Sequence, residues 1–259
     1  MAEGPQAVRE AVAVPGIVRE LYVTPDAAYR HAAILDVAAA GGVAPRLVTD
    51  EVLAAMAETV TPQGLLAVCR LVDVPLAAAL AGSPRLVAVL ARVRDPGNAG
   101  TVLRAADAAG AEAVVLTDAS VDVHNPKCVR ATAGSLFHLP VVTGVPLPDV
   151  VAALRAAGLT VLAADGAGDL DLDDLLDDAA ADRPGGIAGP VAWIFGNEAW
   201  GLPAEDLALA DGVVRVPVHG RAESLNLATA ATVCLYAAAR AQRRGAGCRT
   251  APGVSRPHR

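Results

Sequence analysis

Aromatic residues make up only 3% of this chain, so its core has to be assembled mainly from alanine, valine and leucine. Cysteine is equally sparse. Cys69, Cys128, Cys234 and Cys248 are scattered and form no CxxC pair, and His31, His124, His138, His219 and His258 lack metal-ligand spacing. Reduced, mostly buried thiols and no structural zinc are therefore expected. No apolar run approaches the roughly 20 residues of a membrane-spanning helix. The opening MAEGPQAVREAVAVPG has acids and a proline where a secretory leader would carry bases and an apolar run, which predicts a cytoplasmic protein. Two nucleotide-binding signatures are also missing. The Gly97–Gly100 loop lacks the G-x-G-x-x-G spacing, Gly166-Ala167-Gly168 has no third glycine, and GxxxxGK[ST] does not occur. The acidic stretch GAGDLDLDDLLDDAAAD lacks the glycine and closing glutamate of a calcium loop and reads as a solvated helix face.

What the chain does contain is a repeating strand–helix pattern. With 259 residues, 54% of them hydrophobic, it can bury one large core or two modest ones. Residues 1–75 predict helices over Gly4–Val14 and Asp26–Ala39, strands over Ile17–Val23, Arg46–Val48 and Leu65–Arg70, and a short helix from Asp50 to about Glu58. Residues 76–84, LAAALAGSP, read as a linker closed by a Gly-Ser-Pro break. From Arg85 to residue 244, strands are predicted at Leu86–Arg92, Ala113–Thr117, Thr160–Ala164, Val191–Gly196 and Val213–Val216. Helices are predicted at Ala99–Ala109, Pro126–Ala133, Pro148–Ala157, Leu170–Asp178, Ala204–Leu209 and Leu225–Arg240. Strands this apolar on both faces imply an α/β fold with a mainly parallel sheet. Residues 245–259 have the composition of a disordered tail.

Three segments carry chemistry: DPGNAGTVLRAADAAG (Asp95–Gly110), WIFGNEAWGLP (Trp193–Pro203) and VRVPVHGRAESLNLATAA (Val214–Ala231). Each runs from a strand through a glycine-rich turn into a helix, where backbone groups are offered to a ligand beyond the strand ends. Asn98 stands where a helix cap would, and Ser224 likewise before the final helix. Arg104 shares a helix face with Gly100 and Thr101 and can lean toward the helix N-terminus to clamp a phosphate; pairing with Asp107 is the alternative. Glu198 can orient a donor or balance a cationic ligand, or it can brace its own turn through backbone N–H groups. Lys127 and Arg130, three residues apart, offer a basic pair on one helix face or merely a solvated face.

The three motifs, in this order, resemble the SpoU (TrmH-like) family of RNA ribose 2′-O-methyltransferases. HNPKCVRATAGSLFHLPVV (His124–Val142) is similar to the ribosomal RNA members of that family. AEGPQAVREA, VRELYVT and TPQGLLAVCR resemble the ribosomal-protein-like substrate-binding domain that often precedes the catalytic one. The resemblance implies a SPOUT-type sheet with a C-terminal trefoil knot, preceded by a small α/β domain. It also implies S-adenosyl-L-methionine as cofactor, a homodimer, and methylation of a ribose in structured RNA, foremost large-subunit (23S) ribosomal RNA. Carried over residue by residue, it implies a catalytic set of Arg104, Asn98, Glu198, Ser224 and Asn226. Gly196, Val216 and Leu225, with Gly201 and Pro217, are implied to hold the cofactor, and Arg104, Lys127 and Arg130 to meet RNA. Val218 stands where the family often has methionine. A catalytically silent RNA-binding or ribosome-assembly protein on the same fold, or a transfer RNA methyltransferase, are the alternatives.

The net charge of −7 argues at first against a nucleic-acid partner, but its distribution relaxes that. Residues 240–259 carry six arginines and no acid, while residues 165–182 carry eight aspartates and no base. A local basic surface suffices to bind phosphate on an acidic protein. Twenty of the 21 basic residues are arginine, a bias in which genome composition has a part.

Overall fold

A computed structural model describes residues 1–181, 183 and 186–245. The expected tail, Cys248 included, lies outside the described residues apart from Gly245. The N-terminal part runs β1 (Ala2–Glu3), α1 (Gly4–Ala13), β2 (Val18–Val23), α2 (Pro25–Arg30), α3 (Ala32–Ala40), β3 (Pro45–Leu47), α4 (Asp50–Met56) and β4 (Leu65–Cys69). Its sheet has the order β1-β4-β2-β3, and α1 and α3 bury Val8, Ala11, Ile34 and Ala38 against Leu21, Val23 and Leu65. The helix predicted over Asp26–Ala39 is two helices. His31, at φ −122° and ψ 32°, leaves helical geometry between them.

The expected linker is more than a tether: α5 (Leu76–Leu80) forms within it, and Ala79 packs into the second core. There follow β5 (Leu86–Leu90), α6 (Pro96–Ala109), β6 (Ala113–Thr117), α7 (Pro126–Thr132), β7 (Val141–Val145) and α8 (Leu147–Ala156). The chain continues through β8 (Thr160–Ala164), β9 (Leu170–Asp171), α9 (Leu172–Ala180), β10 (Val191–Phe195), α10 (Ala204–Leu207), β11 (Gly212–Arg215) and α11 (Leu227–Gly245). The seven strands pair in parallel in the order β7-β6-β5-β10-β8-β11-β9.

Every residue of β5, β6 and β10 is buried, because helices cover both faces. The pleat divides β5 between two cores. Leu86, Ala88 and Leu90 meet α6, α7 and α11, whereas Val87 and Val89 meet α5 and α8. As the composition requires, these cores are alanine, valine and leucine, with Trp193 and Phe195 the two large aromatic fillers. Burial pushes the thiols of Cys128 and Cys234 up to about 12. In α9, Leu172, Leu175 and Leu176 turn inward while Asp173, Asp174 and Asp177 are exposed, the solvated face its sequence predicts. No helix among the described residues is long and apolar enough to cross a membrane, and these residues hold no metal-like group of histidine, cysteine and carboxylate side chains.

Candidate functional site

Strands β5, β10, β8 and β11 are neighbours in the sheet, so the turns leaving their carboxyl ends converge on one edge. Beyond β10, β8 and β11 lies a cavity of about 590 Å³. The five residues expected to hold a cofactor, Gly196, Gly201, Val216, Pro217 and Leu225, all line it, as do Glu198 and Ser224. Sequence reasoning missed its far wall, Ala164-Asp165-Gly166 at the end of β8. In the sequence Gly166 reads only as part of a failed dinucleotide signature.

The floor of the cavity is a turn that closes on itself. Asn197 and Gly201 exchange backbone hydrogen bonds of 3.0 Å each, leaving Glu198, Ala199 and Trp200 as a three-residue loop. Gly201 takes φ +68°, and a Cβ on Gly196 would come within 2.6 Å of the Gly201 carbonyl carbon. Only glycine therefore lets the strand end fold back so tightly. Asn197 is buried, donating from Nδ2 to the Arg92 carbonyl (2.9 Å) and accepting from the Ala199 N–H (2.9 Å). Arg92 itself adopts φ +59°, held there as its guanidinium grips Asp206 at 2.7 Å, and this pairing raises its already high pKa further. These two contacts bolt the turn after β5 to the turn after β10. Neither was foreseen.

Glu198 accepts hydrogen bonds from the backbone N–H groups of Arg94 (3.4 Å) and Asp95 (3.2 Å) and from Asn98 Nδ2 (3.2 Å). It thus braces a turn, but that of the first motif, not its own, which Asn197 holds through the Ala199 N–H. Asn98 Oδ1 in turn accepts from Asn226 Nδ2 at 3.2 Å. All three motifs are joined by this relay, whose Glu198 end lines the cavity.

Two expected helix caps are corrected. Asp95, not Asn98, caps α6: its carboxylate accepts the Asn98 N–H at 2.8 Å, and Pro96 fills the first helical position. Asn226, not Ser224, caps α11 by accepting from Ala228 N–H at 2.9 Å, while Ser224 stays exposed at the cavity wall. Asn98 and Ser224 are thereby released from capping.

Arg104 is exposed on α6 and does not line the cavity of its own chain. Its alternative partner, Asp107, is taken by His138 at 2.8 Å. Lys127 and Arg130 lie on α7, and each already holds an anion. Lys127 Nζ reaches Asp95 at 2.7 Å and keeps that carboxyl below the usual range, with help from the Asn98 N–H. Arg130 reaches Glu3 in the N-terminal part at 3.2 Å.

The cavity's volume and mixed polar and apolar lining suit a cationic cofactor with both kinds of surface. Val216, Pro217 and Leu225 offer apolar contact, the glycines expose backbone, and Asp165, Glu198 and Glu223 supply negative charge. A carboxylate–amide–amide relay runs outward from Glu198 in the cavity lining to Asn98 and Asn226.

Comparison with known proteins agrees with this geometry. Residues 85–236 match the SpoU rRNA Methylase family, and residues 1–74 match the family described as RNA 2′-O ribose methyltransferase substrate binding. The chain is 37% identical over 236 residues to the 23S rRNA (guanosine(2553)-2′-O)-methyltransferase RlmP of Bacillus subtilis, an alignment spanning 91% of this chain and 86% of the relative. An AdoMet-bound rRNA methyltransferase from Sinorhizobium meliloti superposes with a TM-score of 0.75 at 32% identity, over 94% of this chain and 86% of that one. The SpoU methyltransferase AviRb from Streptomyces viridochromogenes, in complex with the cofactor AdoMet, gives 0.77 at 30% identity over 95% and 90%.

Proposed function

We propose, since the chain belongs to the SpoU rRNA methylase family, that it transfers a methyl group from S-adenosyl-L-methionine to a ribose 2′-hydroxyl of large-subunit (23S) ribosomal RNA. The observation that carries this reading is the Glu198–Asn98–Asn226 relay, whose Glu198 lines the 590 Å³ cavity. When bound there, the cofactor supplies an electrophilic sulfonium methyl. Gly196, Gly201, Val216, Pro217 and Leu225 hold it, largely through backbone groups, and Glu198 offsets its positive charge.

The protein's part is chiefly positioning, which is worth of the order of 7–11 kcal/mol at best. Asn98, Ser224 and Asn226 hold the 2′-hydroxyl in line with the methyl group. Arg104 clamps the phosphate of the target nucleotide and stabilises negative charge developing on the 2′-oxygen; arginine is effectively never neutral and is not the base, so the displaced proton passes to solvent water. Residues 1–75 grip the RNA, and Lys127 adds a contact near the first motif. Arg130, already paired with Glu3, supports the joint between the two parts and meets RNA only at its exposed edge.

Because Arg104 does not line its own cavity, it serves the cavity of a second copy in a homodimer. Val233 and Tyr236 of α11, 39% and 48% exposed, together with Leu225 give that dimer an apolar face. The knot the resemblance implies fits a last strand, β11, seated between β8 and β9, which precede it in the chain. The compartment is the cytoplasm, where ribosomal RNA is made.

Calorimetric titration with S-adenosyl-L-methionine tests the reading. One site per chain is expected, abolished by Gly196→Val, and no binding to the wild-type protein would overturn it. Mixing Arg104→Ala chains with Gly196→Val chains should restore part of the activity if sites are shared between subunits. Heterodimers with none would remove the shared-site arrangement.

A further inference from the structure

We infer that Trp200, with the Arg94 guanidinium lying over its ring, is a stacking platform for a nucleobase splayed out of the RNA beside the methylated ribose; this rests on the RNA-methylating reading above. The chain has seven aromatic residues in all (Trp 2, Tyr 3, Phe 2). It buries Trp193 and Phe195 completely within β10, yet leaves Trp200, five residues beyond Phe195, 60% exposed. Exposing so large an apolar ring forgoes burial that Trp193 obtains, so its place calls for a partner.

The location defines that partner. Trp200 is the last residue of the three-residue loop closed by Asn197 and Gly201, and Glu198 of the same loop anchors the relay to Asn98 and Asn226. The ring is therefore fixed beside the position proposed for the ribose. Arg94 Cζ lies 5.5 Å from the ring centroid, and the Arg94 N–H donates to Glu198, so the guanidinium too is tied to the loop. An aromatic face backed by a guanidinium, in surroundings of Glu198, Asn98 and Asn226, matches a flat, polar-edged base better than an apolar protein surface. Unstacked RNA bases are held on such aromatic and arginine planes, whatever their sequence. Trp200 itself lines neither the cofactor cavity, which its neighbours Ala199 and Gly201 reach, nor the separate cavity that Val233 and Tyr236 of α11 border, so its ring is free for a partner outside both.

The test uses the full chain with unmodified large-subunit ribosomal RNA from a strain lacking the gene. Trp200→Ala should raise the KM for RNA about 5- to 150-fold, the range of one lost base stack. Trp200→Phe should stay within a few-fold of wild type, and both variants should keep wild-type affinity for S-adenosyl-L-methionine. N-bromosuccinimide should oxidise Trp200 but not the buried Trp193 in the free protein, and bound RNA should protect Trp200. An unchanged KM in Trp200→Ala, or oxidation unaffected by RNA, would overturn the platform while leaving the methylating reading intact. A Trp200 shielded before RNA is added would also overturn it, assigning the ring to a protein contact instead. A wild-type protein that binds neither cofactor nor RNA would remove both.

Discussion

Asn98 and Glu198, a hundred residues apart in the chain, are joined by a 3.2 Å hydrogen bond from the Asn98 amide to the Glu198 carboxylate. This contact makes the end of β5 and the end of β10 one site. Glu198→Gln keeps the side chain's length but loses its charge and half its acceptor capacity, so Asn98 and the Asp95 N–H are held less firmly. Misplacement of this kind costs on the order of 100-fold in turnover. The expected outcome is a kcat lowered by about that factor with folding unchanged, read by steady-state methyl transfer alongside circular dichroism.

Arg104→Ala is expected to retain cofactor affinity and lose turnover, because Arg104 is not among the residues lining the cavity its own chain builds. Arg104→Lys should recover little, since an ammonium cannot reproduce a planar bidentate clamp on phosphate. Calorimetry for the cofactor and single-turnover methyl transfer separate the two effects. A parallel loss of cofactor binding would reject the phosphate-clamp role.

Arg130 and Glu3 tie the two sheets together. Glu3 is only 6% exposed in its side chain and also accepts the Glu58 N–H at 3.1 Å. Arg130→Ala leaves that carboxylate without its cation, at a cost of about 1–3 kcal/mol. Urea unfolding should show the loss, and Glu3→Gln/Arg130→Ala should be less destabilised than Arg130→Ala alone. Were Arg130 principally an RNA contact, its removal would weaken RNA binding and leave stability untouched.

His138 provides a pH dependence at the same joint. Its Nδ1 lies 2.8 Å from Asp107 and its Nε2 3.3 Å from Glu10 of α1. The Asp107 hydrogen bond chiefly, and Glu10 with it, raise the imidazole pKa against the opposing effect of burial. A folded pKa above the unfolded value of about 6.5 gives stability that is complete below 6.5 and is lost as pH rises through the folded pKa. The melting temperature should therefore decline as pH rises from about 6.5, and His138→Gln should flatten that part of the profile.

Much of this arrangement was legible in the sequence, for identifiable reasons. Ala113–Thr117 and Thr160–Ala164 form strands over the predicted spans because apolar runs there end in strong turn signals. The cofactor wall was legible because Gly196 and Gly201 bracket a turn that side chains would block. β7 escaped notice because Gly144 interrupts its short apolar run. Helix starts misled where two capping residues compete: in D-P-G-N the proline selects Asp95, and in S-L-N the residue adjoining the helix prevails. The Arg92–Asp206 and Arg130–Glu3 ties could not be read at all, since they depend on side chains 114 and 127 residues apart.

The most direct test is methyl transfer from labelled S-adenosyl-L-methionine to separated pools of large-subunit rRNA, small-subunit rRNA and tRNA from a strain lacking this gene, with Arg104→Ala as control. The account predicts label in large-subunit RNA alone, at one nucleotide whose 3′ phosphodiester resists alkaline cleavage, and almost none with Arg104→Ala. Label on a base rather than a ribose, label in tRNA only, or no label despite cofactor binding would contradict it.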